Sequence, residues 1–231
     1  MANQHHKISG LESSIAGATP LYLITDSTLA GLPHAEIVRR AVSAGIKIVQ
    51  LRDKQMTKKA LYNEALSVRK LTLKHRATFI MNDYIDIALS VNADGVHLGQ
   101  EDMPLEEARR IMGKKKIIGI STHNVKQAIT AEKAGADYIG FGPLFKTATK
   151  DAGTPRGLRR LREVRKRVRI PIVAIGGITP VNVLSALEAG ADAAAVVSAI
   201  IIGNIRENVK NFLSAINASA VPYKRSSYVK L

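Results

Sequence analysis

Gln50, Arg52 and Lys54 stand at alternate positions in the stretch VQLRDK, residues 49 to 54. Strand side chains alternate faces, so Ile48, Gln50, Arg52 and Lys54 share one side while Val49 and Leu51 take the other. An amide and two cations on one face suit a polyanion, because Arg grips a phosphate through a planar fork and Lys as a point charge. A strand running out into a polar loop would read the same way. Asp83 and Asp102 narrow the chemistry. Carboxylates facing a cationic anion site are ion-pair partners or ligands of a hard cation, and Mg²⁺ typically takes one or two carboxylates plus substrate phosphate oxygens. Paired acids and cations together suggest a magnesium diphosphate. Asp83 also reads as a helix N-cap, a role compatible with the first.

A second anion site of another kind lies in AIGGITP, residues 174 to 180. Gly176 and Gly177 let backbone N–H groups approach a phosphate, a following helix N-terminus adds its dipole, and Val197 and Ser198 complete the site. A tight turn that needs glycine is the alternative. The segment GPLFKTATKDAGTP (142 to 155) carries Thr147, Thr149 and Lys150, as a lid over phosphates would; plain disorder is its rival. Much familiar chemistry is missing. There is no nucleophile elbow and no H-E-x-x-H, and the neighbours Ser121 and His123 have no evident orienting acid. His97, inside a strand, reads as structural rather than catalytic. Two phosphate sites without a nucleophile suggest an enzyme that joins two phosphorylated molecules, one of which loses diphosphate to magnesium.

These residues need a frame that collects them. Short runs rich in Ile, Val and Leu alternate with longer segments of helical period, the pattern of βα units around a parallel sheet. The strands are expected at Leu21–Thr25, Ile46–Leu51, Thr78–Met81, Gly95–Leu98, Ile117–Ser121, Tyr138–Gly142, Ile172–Ile175 and Ala193–Val197. Thr57 is placed to cap one helix, and Thr179, with Pro180 at the first helical position, to cap another. SAGIKIVQL, VNADGVHL, KAGADYIGF and EAGADAAAV recur before alternate strands, with Gly45, Gly135 and Gly190, and Asn92 in their place once, as left-handed helix ends. Eight units of roughly 23 residues fit a compact (β/α)₈ TIM barrel, which typically takes about 250. An open doubly wound sheet would want G-x-G-x-x-G after the first strand, where the chain reads LITDSTLAG. In the barrel the active site lies at the C-terminal mouth, where Gln50, Arg52, Lys54, Asn82, Asp83, Gln100, Asp102, Ser121 and His123 all follow strands. One catalytic domain is expected over 19–218, with an N-terminal extension (1–18) and a basic tail (219–231).

Composition sets limits. The 231 residues carry a formal charge of +15 and no cysteine, which excludes disulfides, a thiolate nucleophile and Cys-ligated zinc. The N-terminus lacks a signal-peptide core, and the longest apolar run, AAAVVSAIII, is far short of the roughly 18 residues a membrane helix needs. A cytoplasmic protein without a membrane partner is expected. The charge points to an anionic partner: nucleic acid, a membrane surface or a phosphorylated substrate. RGLRRLREVRKRVR (156 to 169) puts Leu158, Leu161, Val164 and Val168 on one face, an ordinary outer helix with solvated cations. No nucleic-acid module accompanies it. A homo-oligomer is compatible with the sequence.

QLRDK, MNDYIDIALSVNADGVHLGQEDMP, IIGISTHN, AGADYIGFGPLFKTATK and VAIGGITPVN…VVSAI together resemble the successive motifs of the thiamine phosphate synthases, in order and spacing, from about Leu21 to Ile202. The resemblance implies a (β/α)₈ barrel that joins a hydroxymethylpyrimidine diphosphate to a thiazole phosphate and releases diphosphate. By motif, the pyrimidine diphosphate would fall to Gln50, Leu51, Arg52, Asp53, Lys54, Asn82, Ser121 and Lys150, and Mg²⁺ to Asp83 and Asp102. The thiazole phosphate would fall to Thr147, Ala148 and Thr149 with Gly177, Val197 and Ser198. Arg52, Lys54, Ser121 and Lys150 would act in catalysis. Asp53 replaces a more usual Glu and should point away from the mouth with little effect; Asn92 stands where Gly is frequent. Two rivals remain: the related thiazole tautomerase, with His123 as base, and a basic nucleic-acid binder.

Overall fold

The computed structural model describes residues 20–147 and 154–218. The expected extension and tail lie outside these residues. Eight parallel strands close on themselves in chain order: β1 (Leu21–Ile24), β2 (Ile48–Leu51), β3 (Thr78–Asn82), β4 (Gly95–Leu98), β5 (Ile117–Thr122), β6 (Tyr138–Phe141), β7 (Ile172–Ile175) and β8 (Ala193–Val196), with β8 pairing β1. Around them run α1 (Ser27–Ala30), α2 (His34–Ser43), α3 (Lys58–His75), α4 (Ile85–Ser90), α5 (Leu105–Met112), α6 (Val125–Lys133), α7 (Gly157–Arg165), α8 (Val183–Glu188), α9 (Ser198–Ile201) and α10 (Ile205–Asn217). This is the (β/α)₈ barrel that the alternation of periods predicts.

Strand alternation divides the core in two. Leu21, Leu23, Val49 and Leu51 face outward and pack under the helices with Leu61 and Val68 of α3, whereas Tyr22, Ile24, Ile48, Ile80, Tyr138 and Val173 fill the barrel interior. Interior volume is matched by size. Small Ala193 and Ala195 on β8 share that interior with Tyr22 and Tyr138, whose ring centroids are 6.2 Å apart. Gly119 on β5 is required there, since a Cβ at that position would lie 2.0 Å from the Tyr138 ring.

The helix signals act largely as read. Thr57 accepts from the Ala60 N–H at 3.3 Å, and Asn92 ends its helix at φ 53°, the left-handed conformation expected of the glycines it replaces. One signal fails: residues 180–182 form a turn and α8 starts only at Val183. The Thr179 carbonyl accepts the Val183 N–H, but the local side-chain bond runs the other way, from the Thr179 N–H to Asn182 Oδ1 (2.8 Å). In the basic segment, Leu161, Val164 and Val168 are buried as expected. Arg159 and Arg160 pair with Glu163, and Arg165 with Asp192, so carboxylates already neutralise part of this cationic helix. Among the described residues no helix is long and apolar enough to cross a membrane.

Candidate active site

The end of β2 delivers its side chains to two sides, and a buried network fixes which. Asp53 turns away from the mouth, where its Oδ1 accepts the N–H groups of Gln55 and Met56 (2.8 Å each) and its Oδ2 meets Ser27 Oγ (2.8 Å) and His34 Nε2 (3.0 Å). Burial alone would raise its pKa, but the Met56 and Gln55 N–H groups, with His34 and Ser27, hold it down at about 2. The other nitrogen of His34 meets Thr25 Oγ1 (2.8 Å), which also accepts the Arg52 N–H (3.2 Å). Asp53 therefore anchors the backbone from which Arg52 and Lys54 project. Asp53 points away from the mouth, as expected, and a substrate contact at Asp53 or Leu51 would fall to the backbone. Asp53 is spent on this anchor and Leu51 is fully buried in the outer core, which leaves only main chain for a ligand.

A second network crosses the barrel interior. Gln50 Nε2 donates to the Tyr22 hydroxyl (2.8 Å), that hydroxyl meets Tyr138 Oη (2.9 Å), Tyr138 meets His97 Nδ1 (2.9 Å), and His97 Nε2 meets Ser121 Oγ (2.9 Å). With the Gln50 amide as donor, the polarity follows link by link: Tyr22 gives its proton to Tyr138, and Tyr138 gives its own to Nδ1. His97 then carries its proton on Nε2 and donates to Ser121. Ser121, which lines the cavity, keeps its own O–H to give to a ligand. Desolvation lowers the His97 pKa to about 4, against a small opposing effect of Asp102, so the ring is neutral. Burial pushes both phenols well up. The histidine that bonds Ser121 is thus His97, not its sequence neighbour His123, whose Nδ1 donates to the Gly142 carbonyl (2.9 Å).

The acids meet at the ends of β3 and β4. Asp83 holds φ 60°, a left-handed conformation uncommon for a non-glycine residue and characteristic of functional sites. It is not the helix cap: α4 begins after Tyr84 and takes no side-chain cap. Desolvation raises the Asp83 pKa, its contact with the Asp102 carboxyl raises it further, and Lys54, whose Nζ stands 3.6 Å from Asp83 Oδ2, offsets only part. Asp102 is oriented by the Gly99 N–H (2.6 Å). Two crowded carboxylates form a hard oxygen donor set that a divalent cation would relieve. No cluster of three or more His, Cys, Asp or Glu stands beside them among the described residues, so Mg²⁺ here would complete its shell with water and substrate oxygens, as it commonly does.

The glycine pair forms the opposite wall. Gly176 (φ 97°) and Gly177 (φ 65°) adopt conformations that favour glycine, and a Cβ would fall 2.6 Å from Pro143 Cβ at the first and 2.4 Å from the Lys146 carbonyl oxygen at the second. The chain after β6 is bonded along this turn, Leu144 N–H to Ile175 O (2.9 Å) and Phe145 N–H to Gly176 O (3.0 Å). Because α8 starts at Val183, its dipole is set back from the glycines, and the turn's own N–H groups are the donors on offer.

A cavity of about 710 Å³ brings Arg52, Ser121, Thr147, Gly177, Val197 and Ser198 together from four strand ends and the loop after β6. Gln50 and Asn82 are buried, and Gln50 is joined to the cavity through the chain to Ser121. Lys54, Asp83 and Asp102 cluster with one another instead of lining that space. Ala148, Thr149, Lys150 and most of the expected lid lie outside the described residues. Sequence reasoning missed Tyr22, Tyr138, His34 and Ser27 as positioning groups. The inward-facing strand glycines were the available signal: Gly119 makes room for Tyr138, and a Cβ on Gly140 would lie 3.1 Å from His97 Cε1.

A closed eight-strand barrel with a largely apolar cavity that carries the cations Arg52, Lys146 and Arg156 at the C-terminal ends of its strands defines an enzyme of the (β/α)₈ class. The family model described as thiamine monophosphate synthase matches residues 21–200, and the chain belongs to that family. Among similar proteins, the thiamine-phosphate synthase of Clostridium novyi is 52% identical over 183 residues, 78% of this chain and 90% of that one. That of Methanosarcina barkeri is 44% identical over 207 residues, 89% of this chain and 94% of its own. Among solved structures, the thiamine phosphate pyrophosphorylase of Pyrococcus furiosus superposes with a TM-score of 0.79 at 40% identity, over 85% of this chain and 95% of that one.

Proposed function

We propose that this protein condenses 4-amino-2-methyl-5-(diphosphooxymethyl)pyrimidine with 4-methyl-5-(2-phosphoethyl)thiazole to thiamine phosphate and diphosphate, in the cytoplasm. The family match over 21–200, with cations and acids on one side of the mouth and the glycine turn on the other, carries the reading. In the reaction the C–O bond to the diphosphate breaks and its electron pair leaves with the diphosphate. The resulting pyrimidinylmethyl cation is captured by the lone pair of the thiazole nitrogen, which forms the new C–N bond. That nitrogen bears no proton, so neither a protein nucleophile nor a strong base is needed.

The residues then have distinct duties. Arg52, Lys54 and Lys150 would hold the diphosphate and stabilise charge as it departs. Ser121, its O–H kept free by His97, would donate to the pyrimidine or its leaving oxygen, and Gln50 and Asn82 would orient the ring. Asp83 and Asp102 would hold Mg²⁺, which when bound neutralises diphosphate charge. Gly177, Thr147, Val197 and Ser198, with Ala148 and Thr149, would receive the thiazole phosphate. The partners proposed are phosphorylated small molecules.

The test is direct. Purified protein with both substrates and Mg²⁺ should form thiamine phosphate and diphosphate in equal amounts. Thiazole aromatisation without condensation would transfer the chain to the tautomerase reading. Tight, salt-sensitive oligonucleotide binding indifferent to changes at Arg52, with no condensation, would support the nucleic-acid reading instead.

A further inference from the structure

Arg156 sits at the cavity and is used by no contact described above. Its N–H donates to the Pro143 carbonyl (2.7 Å), and the next N–H, of Gly157, donates to Leu144 O (3.1 Å). Pro143 is the residue that packs on Gly176, so the start of α7 is pinned against the same short segment that covers the glycine turn. The side chain lines the cavity with Thr147, Gly177 and Ser198. Its Nε is buried and has no hydrogen-bond partner. Among the described residues no carboxylate lies within ion-pair distance of it, whereas Arg159, Arg160 and Arg165 of the adjoining helix all have one.

A guanidinium is always charged, and a desolvated N–H without an acceptor is costly to keep. Such a donor, fixed at the wall of an anion site, is completed by an anion. We propose that Arg156 is a further ligand of the phosphate on the thiazole substrate, with Nε–H and one terminal N–H forking onto two phosphate oxygens. This rests on the assignment of the Gly176–Gly177 wall to that phosphate. It adds a charge-dependent contact to a wall built mostly of main-chain donors and hydroxyls, where Lys146 is the other cation, and so makes Arg156 a determinant of preference for the phosphorylated thiazole over its free alcohol.

The experiment uses the full chain and the variants Arg156→Ala, Arg156→Gln and Arg156→Lys. KM is measured separately for each substrate, together with turnover on the unphosphorylated thiazole alcohol. For Arg156→Ala and Arg156→Gln the KM for thiazole phosphate should rise about ten- to a hundredfold, with kcat and the KM for the pyrimidine diphosphate within about twofold of wild type. Arg156→Lys should recover part of the loss, as a point charge without the fork. Turnover on the alcohol should be unchanged. A residue that only packs the start of α7 would depress both substrates alike. An unchanged KM for thiazole phosphate, or equal losses on phosphate and alcohol, overturns the inference. Arg156→Gln and Arg156→Lys keep the aliphatic stem, so they decide the matter if the alanine variant does not fold. A wild-type protein that fails to condense the substrates overturns the underlying reading; an active wild type indifferent to Arg156 overturns this inference alone.

Discussion

Tyr138→Phe removes one oxygen from the interior of the barrel and keeps the ring that Gly119 makes room for. That oxygen has two partners, Tyr22 Oη and His97 Nδ1, both at 2.9 Å. Its loss leaves Tyr22 with no acceptor for its proton and Nδ1 with no donor. A buried polar group stranded in this way costs about 1–3 kcal/mol, so the variant should lose about 2–4 kcal/mol of stability. Tyr22→Phe strands Gln50 Nε2 and deprives Tyr138 of its donor, and should cost about 2 kcal/mol by the same reasoning. The double variant strands only Gln50 Nε2 and His97 Nδ1, because the two groups that faced each other are both gone. Its loss should therefore fall short of the sum of the single losses by about 1–2 kcal/mol. Urea denaturation of the wild type, the two single variants and the double variant closes the cycle. Additivity within about 0.5 kcal/mol would mean that the hydroxyls do not act as a chain and would sink the argument. The same chain sets the His97 tautomer, so Tyr138→Phe should also lower kcat/KM for the pyrimidine diphosphate by about tenfold. An unchanged value would detach Ser121 from the network.

Three further outcomes follow from the site. Arg52→Ala should cost about 1.5–3 kcal/mol of charge-assisted binding, about ten- to a hundredfold in kcat/KM for the diphosphate substrate, and an unaltered constant would remove Arg52 from the diphosphate site. Asp83→Asn should act in opposite senses: without metal the melting temperature rises, because a carboxylate crowded by Asp102 is gone and Asn tolerates φ 60°, while magnesium activation weakens by at least about tenfold. Wild-type activity should also vanish in excess EDTA and return with Mg²⁺; metal-independent turnover in either protein would contradict the assignment. His97 titrates at about 4 in the folded chain against 6.5 when unfolded, so the unfolded state binds more protons between these values and stability falls as the pH is lowered through that window. His97→Gln should flatten that part of a plot of urea midpoint against pH, and an identical slope would place the acid sensitivity elsewhere.

What the sequence discloses and what it hides divide along range. Period-two alternation is local, and it correctly sends Gln50 and Arg52 inward and Val49 and Leu51 outward. Caps such as Thr57 and the left-handed Asn92 are equally local, which is why the eight units could be counted. The failure at Thr179 is local too, but Asn182 competes within the same turn: its side chain takes the Thr179 N–H and also donates to Gly177 O (2.9 Å), and both bonds hold the turn to the glycine loop at the expense of a helical start. Longer-range partners left no such trace. Asp53 reads only as a charge pointing away from the mouth until α2 brings His34 onto it, and nothing local pairs Tyr22 with Tyr138, 116 residues away.

Parity says only that Tyr22, His97, Ser121 and Tyr138 all face inward. Which of them touch depends on register, since Tyr22 is set level with Ala195, His97 with Gly119, and Ser121 with Gly140. Around a closed barrel such registers are fixed jointly by closure, and no single pair of segments can determine them. The two glycines level with His97 and Ser121 carry one imprint of that closure. Gly119 leaves room for Tyr138 of the next strand, and Gly140 for His97 two strands away. These two glycines lie beside the buried network under Ser121, and Ser121 is the one residue of that network that a ligand in the cavity would touch.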